Sequence, residues 1–267
     1  MQASQQPIGI FDSGVGGLAV ARVIKDLLPA ESIYYLGDTR RFPYGEKNVD
    51  KLRNYVRAIG NWLLKRECKL ILIACNTATV AAADQLQEQV GPEIPVCNVV
   101  DPIIDHIKQQ YIGKKLGLIG TQYTVQSNVY NQKLQNVCAD THIQALATPL
   151  LVPMVENAHY QADIVNTYLS DPQLADIDGL ILGCTHYWLI KNQIAQYYKN
   201  KIAIIDGAGL LAKYLQNLLE KSKLTNSQLS QPNDRFFATK LTANFQAITK
   251  RLFGAAVDLV KLPELDA

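Results

Sequence analysis

Short apolar runs alternate along this chain with amphipathic stretches. Residues 7–11, 32–36, 70–74 and 95–100 are apolar at nearly every position, the pattern of strands buried on both faces. Between them, Val20, Val23, Ile24, Leu27 and Leu28 recur at helical spacing. Residues 50–66 place Leu52, Val56, Ile59 and Leu63 on one helical face, and residues 79–90 predict another helix. Such alternation predicts βαβ units and a mainly parallel sheet.

The pattern then begins again. Residues 115–119 resemble 7–11. Residues 179–183 precede Cys184 much as 70–74 precede Cys75, and 202–206 echo 96–100. Buried parallel strands share a general likeness, but these three matches lie at nearly one offset. They predict an α/β fold of two similar domains, each a mainly parallel sheet flanked by helices, with the active site in the cleft between them. Boundaries near Asp101-Pro102 and Gly207-Ala-Gly209 give a discontinuous first domain, 1–100 plus 208–267, and a second, 101–207. After Gly209 a helix is expected through about Leu219, then a polar loop over 221–234. A last strand over 235–239 and a closing helix over 243–253 complete the first domain.

Composition narrows the class. Of 267 residues 48% are hydrophobic and 19% charged, enough apolar material for a packed core. Lys+Arg is 26 against Asp+Glu 24, a net charge of +2, which argues against a nucleic-acid partner. No apolar run approaches the ~20 residues needed to span a bilayer. The first seven residues lack the basic and apolar regions of a secretion signal, so a cytoplasmic location is expected. Five cysteines without a C-x-x-C, and four histidines without H-x-x-x-H or H-E-x-x-H spacing, predict neither a disulfide framework nor a metal site.

In open parallel sheets ligands sit outside the carboxyl ends of the strands. The residues there are Asp12-Ser13, Asp38-Thr39, Cys75-Asn76-Thr77, Thr121 and Cys184-Thr185-His186. Cys75 and Cys184 occupy matched strand-to-helix junctions, where unpaired N–H groups and the helix dipole are expected to lower a thiol pKa. Cys68, Cys97 and Cys138 read as small buried hydrophobes. Two thiols facing one cleft suit proton removal from one face of a carbon and proton return to the other, which is general acid–base catalysis.

Two other readings compete. Gly14-Val-Gly16-Gly17-Leu-Ala19 fits G-x-G-x-x-A, with Asp38 at a suitable distance, as in an NAD-dependent oxidoreductase. Against it, Asp12 and Ser13 intervene between strand and first glycine, and Asp12 would face the pyrophosphate. The glycines more simply make a tight loop whose N–H groups could receive a substrate carboxylate. A hinged two-domain cleft would also suit a non-catalytic amino-acid binding protein. The pair Arg40-Arg41, before Pro43-Tyr44-Gly45, could steer an anion.

At these residues the chain resembles the glutamate racemases of the cofactor-independent aspartate/glutamate racemase superfamily. The matches are Phe11-Asp-Ser-Gly-Val-Gly-Gly-Leu18, Gly37-Asp-Thr39, Pro43-Tyr-Gly45, Cys75-Asn-Thr-Ala78, Ile119-Gly-Thr121 with Thr124, Val152-Pro-Met-Val-Glu156 and Gly183-Cys-Thr-His-Tyr187. The resemblance implies an isomerase that interconverts L- and D-glutamate, the latter for peptidoglycan, usually as a homodimer. It implies no metal, pyridoxal phosphate or nucleotide. It makes Cys75 and Cys184 the two bases, acting on D- and L-glutamate respectively, with Asp12 and His186 beside them and Asp38 and Glu156 in support. Asp12, Ser13, Pro43, Tyr44, Gly45, Asn76, Thr77, Thr121 and Thr185 would bind substrate. The chain departs from the family pattern at Trp188, commonly proline, and at Arg40, Asp101 and Thr148; none of these removes a catalytic group.

Overall fold

The computed structural model describes residues 2–135, 138, 140–227, 232–255, 257–263 and 265. Its strands are β1 (Ile8–Asp12), β2 (Ile33–Gly37), β3 (Leu70–Ile73), β4 (Val96–Asn98), β5 (Lys115–Gly120), β6 (His142–Ala147), β7 (Gly179–Gly183), β8 (Ala203–Ile205), β9 (Arg235–Ala238) and β10 (Leu259–Lys261). They form a six-stranded sheet of order β10-β9-β2-β1-β3-β4 and a four-stranded sheet of order β6-β5-β7-β8. Every pairing among the described residues is parallel.

The order β2-β1-β3-β4 is repeated as β6-β5-β7-β8. Ile8 pairs with Leu70 in the first sheet, and Leu116 pairs with Gly179 at the corresponding place in the second. The three run matches in the sequence are thus β1 with β5, β3 with β7, and β4 with β8. The expected fold of two similar α/β halves is the one observed.

Connecting helices cover the sheets. In the first half these are α1 (Gly17–Leu27), α2 (Val49–Leu64) and α3 (Asn76–Val90). The four apolar residues expected on one face of α2 are all buried. Helix α4 (Val100–Gln110) leads into the second half, which carries α5 (Gln122–Gln126), α6 (Val129–Gln135), α7 (Leu151–Glu156), α8 (Ala162–Leu169) and α9 (Lys191–Tyr197). Helix α10 (Gly207–Lys221) leads back to β9, α11 (Ala243–Phe253) and β10. Residues 228–231 of the expected polar loop lie outside the described residues.

One apolar cluster runs through both halves. It joins Ile8, Ile10 and Leu72 of the first sheet to Leu116, Leu118 and Ile181 of the second through residues of α1, α4 and α10. The outer face of each sheet has its own cluster, under α2 and α3 on one side and under α7 and α8 on the other.

A buried ion pair closes the amino-terminal end of the first sheet. Lys69 Nζ lies 2.5 Å from Glu31 Oε2 and donates to the carbonyls of Ser4 (2.6 Å) and Leu224 (2.8 Å). The second Glu31 oxygen accepts the Asn226 N–H at 2.8 Å. Three segments distant in sequence are thereby tied to the start of β3.

Candidate active site

In both sheets the strand order reverses beside the central strand, so a crevice opens between β1 and β3 and another between β5 and β7. Asp12-Ser13 and Cys75 stand at the first crevice, Thr121 and Cys184 at the second. The two crevices face each other, and hydrogen bonds cross between them. Thr185 Oγ1 donates to Asp12 Oδ2 at 2.9 Å, and Thr77 Oγ1 lies 2.9 Å from Thr121 Oγ1. The Val15 N–H donates to Glu156 Oε2 at 3.3 Å. A Cβ on Gly16 would collide with Thr185 Oγ1 and stand 2.7 Å from the His186 main-chain nitrogen, so only glycine permits this approach of the halves.

The two thiols are both buried but keep different company. Cys75 is the N-cap of the fifteen-residue α3, and its sulfur accepts the Ala78 N–H at 3.5 Å. Ser13 Oγ lies 3.9 Å away. Cys184 caps a six-residue 3-10 turn, Thr185–Ile190, and α9 begins only at Lys191. Trp188 lies within that turn. His186 Nδ1 lies 3.7 Å from Cys184 Sγ, and His186 Nε2 lies 2.7 Å from Glu156 Oε2. Phe42 packs against the His186 ring with centroids 5.8 Å apart. The main-chain oxygen of Glu156 accepts from Asn244 Nδ2 at 2.7 Å, which anchors the end of α7 to α11.

Burial shapes the electrostatics. It pushes the Cys75 thiol well above its ordinary pKa, Asp12 pushes it further, and the Ala78 N–H only partly offsets them. The expectation that a helix N-terminus would lower this pKa is therefore corrected: one N–H cannot outweigh full burial next to a carboxylate. Burial lowers the His186 pKa, but bonds to Cys184 and Glu156 and their charges reverse this and hold it well above the usual imidazole range. Burial raises the Asp12 pKa, against the pull of His186, Gly14 N–H and Thr185.

Behind this layer, Tyr44 donates to Asp38 Oδ2 (2.6 Å) and Thr239 to Asp38 Oδ1 (2.9 Å). Burial raises the pKa of Asp38, opposed by Tyr44, Arg41 and Thr239. The Tyr44 phenol is thus engaged with Asp38, while Pro43 and Gly45 line a cavity with Thr121. Arg41 is no anion-steering group. Its guanidinium lies over Tyr55, 4.5 Å from the ring centre, and bonds the Leu265 carbonyl.

The N–H groups of the glycine loop are less available than expected. Gly14 N–H donates to Asp12 Oδ1 at 2.9 Å, and Val15 N–H to Glu156. Two carboxylates therefore occupy the place where the dinucleotide fingerprint would hold a pyrophosphate. Among the described residues no cluster of three or more His, Cys, Asp or Glu could hold a metal ion, and no helix is long and apolar enough to cross a membrane.

Some neighbours were not singled out in the sequence. Tyr130 of α6 donates to Asn76 Oδ1 at 2.6 Å, and the hydroxyls of Thr148 and Tyr187 meet at 2.6 Å. A tyrosine in an amphipathic helix reads as core, and nothing in its spacing points across the cleft.

Comparison with known proteins gives the family. The family model described as Asp/Glu/Hydantoin racemase matches residues 8–215. A glutamate racemase from Syntrophus aciditrophicus (strain SB) is 38% identical over 263 residues, 97% of each chain. The crystal structure of glutamate racemase from Francisella tularensis subsp. tularensis SCHU S4, in complex with D-glutamate, superposes with a TM-score of 0.90 at 31% identity, over 98% of this chain and 99% of that one. A glutamate racemase isoform from Bacillus anthracis gives 0.90 at 34% identity, over 99% and 100%. With a family model matched over residues 8–215 and relatives alike over nearly their whole length, the chain belongs to the Asp/Glu/Hydantoin racemase family.

Proposed function

We propose that this chain interconverts L- and D-glutamate, supplying the D-form for peptidoglycan, by proton transfer between Cys75, Cys184 and the substrate Cα. The observation that carries this reading is the unlike company of two buried thiols at equivalent strand ends. In the L-to-D direction the Cys184 sulfur, with protonated His186 beside it, takes the Cα proton. Cys75, held as a neutral thiol by burial and Asp12, gives its proton to the opposite face. One C–H bond breaks and another forms, and the sulfurs end with their protonation exchanged, ready for the reverse reaction. Asp12 and His186 are the auxiliary groups next to the two thiols, with Asp38 and Glu156 in support. Ser13, Asn76, Thr77, Thr121 and Thr185 present short polar groups that pair across the cleft and suit carboxylate and ammonium recognition, and Pro43-Tyr44-Gly45 forms one wall.

Residues 101–207 are proposed to move against 1–100 plus 208–267, with α4 and α10 at the crossings, and the active form is proposed to be a homodimer. The decisive experiment is incubation of L-glutamate in deuterated water without added cofactor. Loss of optical rotation should accompany deuterium entry at Cα, and rotation lost without deuterium would overturn proton exchange.

Gly16→Ala tests the contact between the halves. Its methyl would sit inside Thr185, so the halves must separate. We expect kcat/KM lower by about 10²-fold with the fold retained. An unchanged rate would show that this approach is not part of the working form.

A further inference from the structure

Tyr130 is buried on α6 of the second half, and Asn76 opens α3 of the first, next to Cys75. The 2.6 Å bond from the Tyr130 hydroxyl to Asn76 Oδ1 crosses the cleft. A side-chain amide can present either its oxygen or its nitrogen, and a hydrogen-bond partner decides which. Here the phenol donates its proton to Oδ1, so the amide oxygen is turned toward α6 and Nδ2 away from it. Among the described residues no protein group bonds Asn76 Nδ2, and Asn76 lines a small cavity with Cys184 and Thr185 that continues behind them to Trp188, Asp206 and Ala208.

We infer that Tyr130 is a positioning residue. It fixes the Asn76 amide so that Nδ2 donates to a substrate carboxylate, and it does so only while the two halves are together. This rests on the function proposed above. Burial raises the pKa of the phenol, so the donor keeps its proton at neutral pH. Without it, the amide would turn freely and part of the time offer its oxygen to an anion.

The test compares Tyr130→Phe, Asn76→Ala and the double variant in both directions of racemization. Tyr130→Phe should raise KM for L- and D-glutamate roughly five- to tenfold, as expected for one buried hydrogen bond, with kcat within about twofold. The double variant should be no worse than Asn76→Ala alone, because Tyr130 acts through Asn76. A loss of packing would instead lower the melting temperature and multiply the two KM effects, and that result overturns the inference. Should Tyr130→Phe fail to fold, nitrogen-15 NMR of the wild type decides. Asn76 side-chain signals that shift on adding glutamate support the role, and signals that stay still overturn it. A wild type that does not racemize glutamate sinks the proposed function and this role together. An active wild type with an unmoved KM in Tyr130→Phe sinks the inference alone.

Discussion

Cys75→Ala and Cys184→Ala should each reduce racemization by roughly 10³-fold or more, with the far-ultraviolet spectrum and the melting temperature little changed. Each thiol is proposed to be the only proton carrier on its face of the substrate, and a placed acid or base contributes about 10²–10⁴-fold. The sulfurs stand at the ends of β3 and β7, where replacement by a smaller side chain leaves both sheets intact. In place of Cys75 only solvent could return a proton, and both thiols are buried. In place of Cys184, His186 and Glu156 would remain paired with no sulfur to serve. A chiral assay on both variants, in both directions, reads the effect. Full activity in either would refute the paired-thiol mechanism.

The second large effect concerns stability. Lys69→Met should destabilise the fold by about 3–5 kcal/mol, because it leaves the Glu31 carboxylate buried with one N–H partner and strips the Ser4 and Leu224 carbonyls of their donor. Replacing both partners, Lys69→Met with Glu31→Leu, should recover much of that loss, since apolar side chains need no charge compensation. Urea unfolding followed by fluorescence checks both. A single variant within about 0.5 kcal/mol of the wild type would show that the pair contributes little. Neither residue belongs to the proposed site, so the folded fraction of either variant should racemize at the normal rate.

Much of the fold is legible in the sequence because its central strands are buried on both faces. β1, β3 and β7 are continuous apolar runs, and their matches predict the repeated sheet. β6 and β10 escape that reading because neither is a continuous buried apolar run. In β6 only Ile143 is buried, between exposed His142 and Gln144, and Ala145, Leu146 and Ala147 are half-buried, while β10 is three residues long with Leu259 and Val260 half-buried. The chemistry-bearing positions are legible for a topological reason: ligands gather at strand ends, and the cysteines stand there. The ionisation of Cys75 is not, because it depends on burial and on Asp12 brought close by the fold. The partner of Asn76 is equally hidden, since Tyr130 lies 54 residues away on the other side of the cleft.

Mirror-image amino acids have equal free energies in water, so their equilibrium constant is one. The specificity constants of the forward and reverse reactions must then be identical, however lopsided the protein. The repeated strand order gives the two sides of the cleft nearly one architecture, while a helix amide attends one sulfur and an imidazole the other. That lopsidedness can surface only as matched changes, a higher turnover in one direction accompanied by proportionally weaker saturation.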